Sequence, residues 1–81
     1  MLMEETMELE KEIKLLVNLT IKELVTKYHK KSDVARKMVY EMDVYNLIME
    51  KPVRLHDAPE KWAIKVLTYC NDVEAIENYY L

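Results

Sequence analysis

The sequence predicts an all-α fold, a compact bundle of four or five helices with a long first helix, in a single domain covering 1–81. Three observations predict it. The 81 residues include no Gly and only two Pro, whereas strands joined by tight hairpins need Gly or Asn at positive φ. Leu, Met, Glu and Lys, all good helix formers, are abundant. Apolar residues return at intervals of three and four along most of the chain. With 51% hydrophobic and 33% charged residues, the composition is that of a folded domain and not of a disordered one.

The first helix is expected from about Met7 to His29. Leu9, Ile13, Leu16, Val17, Leu24 and Tyr28 form its apolar stripe, with Thr20 in the same row. Residues 1–6 are expected to fray. Leu15 and Leu19 fall off the stripe on the opposite side and, four apart, touch each other. Either another helix of the chain covers them or a dimer or partner contact does.

Lys30-Lys31-Ser32-Asp33 reads as a break, with lysines at a helix end and Ser32 as the next cap. A second helix follows to about Met42, burying Val34, Ala35, Met38, Val39 and Met42. Asp43 is placed to cap a third, Val44 to Glu50, with Val44, Leu47 and Ile48 inward. Pro52 disfavours helix at Lys51, so 52–58 is a loop that Val53 and Leu55 pin to the core. Asp57 and Glu60 have capping-box spacing, with Pro59 in the first turn. The fourth helix then runs to about Cys70, with Trp62, Val66, Tyr69 and Cys70 on one side and Ile64 and Leu67 on the other. After a break at Asn71-Asp72, Val73 to Tyr80 forms a last helix that uses Val73, Ile76 and Tyr80.

Catalysis is not expected. His29 and His56, with the single Cys70, have no zinc-type spacing. No motif places a nucleophile beside a base. A Gly-rich phosphate loop is impossible without Gly. The many carboxylates read as solvated helix faces, and no cofactor is expected. One Cys fits a reducing cytoplasm, and no apolar run nears the roughly 20 residues of a membrane span.

Charge is unevenly distributed within a net of -3. Glu4, Glu5, Glu8, Glu10 and Glu12 make the start acidic, and the last ten residues are acidic too. Between them Lys27, Lys30, Lys31, Arg36 and Lys37 form a basic patch. It reads as solvated lysines, as a protein-binding patch or as a nucleic-acid contact. Against the last, the second helix carries no Asn or Gln to read bases. All the aromatic residues but Trp62 are Tyr, six of them, and Tyr suits interfaces because its ring is apolar and its tip polar. Tyr40, Tyr79 and Tyr80 are the candidates for partner contact, together with Leu15 and Leu19. Met38, Met42 and Met49 are either core filling or an adaptable groove.

The stretch Ser32-x-x-Ala35-x-x-Met38-x-Tyr40, then Val44-Tyr45-x-Leu47-Ile48, Leu55, and Trp62 before Leu67 resembles a layout found in small helical proteins encoded near bacterial toxin genes. It covers about half of the chain and carries no catalytic residues. The resemblance implies a toxin-neutralising or other accessory interaction role. The expectation is thus a non-catalytic protein–protein interaction module, antitoxin-like or regulatory, with itself as a homodimer or another protein as partner. The alternative is a nucleic-acid-binding helical module built on the basic patch, and a third reading is an enzyme subunit completed by its partner.

Overall fold

The computed structural model describes residues 2–80, with side chains from Glu8 onward. Met1, Leu81 and the side chains of 2–7 lie outside what is described, and the expected fraying of 1–6 falls among them. Five α-helices and one 3-10 turn follow in order: α1 Leu2–Thr26, α2 Ser32–Met42, α3 Val44–Glu50, the turn Pro52–His56, α4 Pro59–Tyr69 and α5 Val73–Tyr80. There is no strand among the described residues. The expected bundle with a long first helix is the fold observed.

The 25 residues of α1 make a rod of about 37 Å at 1.5 Å per residue. They account for a body measuring 48 × 21 × 18 Å. α2, α3, the 3-10 turn and α4 all pack on α1, and α5 packs on α4. The core starts at Ile13 and takes one side of α1: Ile13, Leu16, Val17, Thr20, Ile21 and Leu24, with Tyr28 just beyond the helix. Ala35, Met38 and Val39 of α2, Val44 and Ile48 of α3, and Trp62, Ala63, Val66 and Leu67 of α4 complete it. Each large side chain buried this way contributes about 1.5–3 kcal/mol. Thr20 is the one buried polar residue among those described, and its hydroxyl donates to the Leu16 carbonyl at 2.8 Å, so nothing polar is stranded there.

A chain without Gly needs other residues to end its helices. His29, Asp43 and Asn71 all adopt left-handed conformations, with φ of 56°, 57° and 58°. Non-Gly residues resist this region, Asn, Asp and His least. After α4 the backbone closes a Schellman motif: the Asp72 N–H donates to Leu67 O at 2.8 Å and the Asn71 N–H to Thr68 O at 3.1 Å. At the end of α2 the Asp43 N–H reaches Tyr40 O at 3.0 Å.

The breaks fall where the sequence marks them, but the capping differs. Lys31 stands at the N-cap of α2 and Ser32 is already helical, so Ser32 caps nothing. Asp43, held left-handed, turns its carboxylate to the Asn46 amide at 2.8 and 3.0 Å instead of to a backbone N–H. Ala58 is the N-cap of α4, with Pro59 in the first turn as expected. Asp57, one position too early for a capping box, accepts from Lys65 Nζ at 2.8 Å, and Glu60 from Lys27 at 2.7 Å.

Four packing expectations also change. Val53 is 68% exposed and pins nothing. Leu55 does pack against the core, and the 52–56 segment is held besides by Arg54, whose guanidinium donates to Leu47 O at 2.7 Å and whose carbonyl accepts from the Trp62 indole at 3.3 Å. Tyr69 is exposed, so the Trp62 side of α4 buries Trp62 and Val66 without it, while Leu67, expected on the other side, is buried together with Ala63. In α5 it is Ala75 and Ile76 that touch the core, while Val73 and Tyr80 face outward. Val34 of α2 likewise lies half out of the core at 42% exposure.

Candidate interaction surfaces

Leu15 and Leu19 lie on the side of α1 turned away from Ile13, Thr20 and Leu24, at 59% and 38% exposure. No helix among the described residues covers them. They form one wall of an open groove of about 310 Å³, whose other wall is Leu55, His56, Asp57, Ala58 and Pro59. Sequence reasoning did not find that second wall. Pro59 is forty residues from Leu19, and local periodicity holds no signal that would pair them.

The tyrosines do not join this groove. Tyr40 is 70% exposed on the outer side of α2, beside Arg36 and Lys37. Tyr79 and Tyr80 lie near the far end of α1, where the Tyr79 ring rests 5.2 Å from Tyr28 and 5.0 Å from Tyr80, centroid to centroid. Burial and the neighbouring phenols raise the Tyr28 hydroxyl above its ordinary pKa. The five predicted contact residues therefore occupy three separate places: Leu15 with Leu19, Tyr40 alone, and Tyr79 with Tyr80.

The basic patch is divided in the same way. Lys27 bridges Glu23 at 3.0 Å and Glu60 at 2.7 Å, and the hydrogen bonds to Glu60 and Glu23 hold its ammonium charged well above the usual lysine range. Lys30 pairs with Asp72. Both are engaged in tying α1 and its exit to α4 and α5. Lys31, Arg36 and Lys37 remain without an ion pair among the described residues, flanked by Asp33 and Glu41. Three cations with acidic neighbours make a weaker phosphate-binding surface than the five counted together.

No group of three His, Cys, Asp or Glu among the described residues is placed to hold a metal ion. Cys70 is half-buried, and burial together with nearby Glu41 and Asp72 pushes its thiol pKa up, away from the thiolate that reactivity needs. His56 is exposed on the groove wall, while its neighbour Asp57 points to Lys65. No helix is long and apolar enough to cross a membrane among the described residues.

Fold and surface together define an all-helical domain with an uncovered leucine groove on its longest helix. Comparison with known protein families, with curated proteins and with solved structures finds no match to this chain.

Proposed function

We propose that the protein is a non-catalytic protein–protein interaction module, an accessory chain of antitoxin-like or regulatory type that acts by covering a partner's surface. One observation carries this reading. Two large apolar side chains on the longest helix, Leu15 and Leu19, stand in solvent against a second apolar wall of Leu55, Ala58 and Pro59. A groove with this lining suits an amphipathic helix laid along it. The single half-buried thiol fits work in a reducing compartment such as the cytoplasm.

The test is a pair of charge insertions, Leu15→Glu and Leu19→Glu, judged against unchanged circular dichroism. Both positions face water, so folding should survive. The expected result is loss of the chain's associations at unchanged helicity. Full retention of every association by both variants would sink the reading, and steep loss of association with rising salt would point to nucleic acid through Lys31, Arg36 and Lys37 instead.

A further inference from the structure

The exposed side of α1 carries an ordered pattern. Glu8, Glu12, Leu15, Leu19, Lys22 and Thr26 follow one another at alternating intervals of four and three, and all six are exposed. That spacing is the seam spacing of a coiled coil and puts them in one stripe along the helix. Leucines hold the centre, carboxylates the N-terminal end and a lysine the C-terminal half. Neither Glu12 nor Lys22 makes an ion pair among the described residues.

Such a stripe is complementary to its own reverse. Two α1 helices laid antiparallel about a two-fold axis at the level of Val17 set Leu15 against Leu19 of the second copy, and Leu19 against Leu15. The same register sets Glu12 against Lys22 of the second copy at both ends, and Glu8 against Thr26. Every pair is apolar with apolar or charge with countercharge or hydroxyl. In a parallel pairing Glu12 would meet Glu12 and Lys22 would meet Lys22, which is repulsive at both levels. Each interface patch then matches itself, as a two-fold dimer requires.

We propose that a second copy of this chain docks antiparallel on this face, with four leucines at the centre and two Glu12–Lys22 pairs closing the ends. The proposal rests on the interaction-module reading and names its occupant. Leu55 and Pro59, on the second wall of the groove, extend the apolar contact on one flank.

Light scattering behind a sizing column, run over a concentration series to the millimolar range, tests this. The expected species has twice the 9.7 kDa chain mass. Leu15→Glu should return it to monomer with unchanged helicity. Glu12→Lys alone and Lys22→Glu alone should each weaken the dimer roughly tenfold, because two pairs turn repulsive. The two reversals combined in one chain should restore it, which only the antiparallel register allows. A monomer at every concentration, or a dimer indifferent to both single reversals, overturns the proposal. If the chain is monomeric but Leu15→Glu abolishes its binding to a different protein, the second copy is excluded and the interaction reading stands. If Leu15→Glu alters no association of either kind, both fall.

Discussion

The ring of Tyr79 rests on that of Tyr28, 5.2 Å between centroids and tilted by 46°. This contact joins the end of the chain to the exit of α1. Because α5 contributes no fully buried residue, the ring pair adds to the partial packing of Ala75 and Ile76 in holding it. Tyr79→Ala should cost about 1 kcal/mol, the usual worth of an aromatic pair beyond its area. Amide exchange in α5 should accelerate more than in α4. Tyr80, at 66% exposure, stands perpendicular to the Tyr79 ring and is largely in solvent, so Tyr80→Ala should cost less than about 0.5 kcal/mol. Equal effects of the two substitutions would show that this contact does not anchor α5.

The same tyrosine sets an alkaline limit. Burial, then the phenols of Tyr80 and Tyr79, raise the Tyr28 pKa above the ordinary value of 10.0. For a group whose folded pKa is raised, the stabilisation is complete below the unfolded value and is lost as pH climbs through the folded one. Lys27 is raised too, by Glu60 and Glu23, and has the same sign. Stability should therefore fall above about pH 10. In an absorbance titration of the phenolates, Tyr28→Phe should remove a component that titrates above the ordinary tyrosine value. That variant should also make the alkaline decline shallower without abolishing it, since Lys27 remains.

Three helix ends store backbone strain because the chain has no Gly. His29 at φ 56° is the least suited of the three, since Asp43 and Asn71 have short polar side chains that tolerate the left-handed region. His29→Gly should stabilise by about 0.5–1 kcal/mol, net of the extra freedom glycine gains when unfolded. Asn71→Gly should gain less. Thermal melts of the two variants give the order directly, and destabilisation by His29→Gly would mean that the imidazole makes a contact worth more than the strain.

That absence of Gly explains both what was readable in the sequence and what was not. Long helices and their breaks at Lys30-Ser32, Asp43 and Asn71 follow from propensity and polar interruptions, which are local. The off-stripe position of Leu15 and Leu19 is local too, and both are exposed. Capping roles depend on which side of the junction a residue falls. Asp43 stands before α3 where a cap was expected, but its left-handed φ makes it also the terminator of α2 and turns its side chain from the backbone N–H groups, and that distinction is a matter of φ. The orientation of α5 is set by the Schellman turn at Asn71 and by what Tyr28 offers it, so Tyr79 docks where periodicity within eight residues favoured Tyr80. The groove's second wall is tertiary altogether, made when the 3-10 turn folds back onto α1.

Asp57 provides a check on that fold-back from the acid side. Its carboxylate is held below the usual range chiefly by the hydrogen bond from Lys65. A depressed acid stabilises the fold above its unfolded pKa, and the contribution disappears as pH falls through the folded one. The Asp57 carboxyl should thus titrate below an ordinary aspartate by carbon-detected NMR. Lys65→Met should move it back up and remove the pairing's share of the acid-dependent loss, leaving stability at neutral pH almost unchanged because the pair is at the surface.

Trp62 joins the same junction to the core and allows the hydrogen bond to be separated from the packing. The ring is 2% exposed, its N–H donates to Arg54 O at 3.3 Å, and Lys65 Nζ lies 4.5 Å from the ring centroid. Trp62→Phe keeps an aromatic body but removes the indole hydrogen bond to Arg54 O, which retains the Asp57 N–H at 3.2 Å, and leaves unfilled volume, at a cost of about 1–3 kcal/mol. Trp62→Ala removes the largest fully buried side chain and should cost about 3–5 kcal/mol. That is a large share of the 5–15 kcal/mol typical of a whole domain, so the Ala variant should be partly unfolded at 37 °C by circular dichroism. The Phe variant should fold, with amide exchange at 52–56 accelerated more than in α2. Uniform acceleration across both segments would show that the indole N–H does not hold the 3-10 turn, and with it the second wall of the groove, in place.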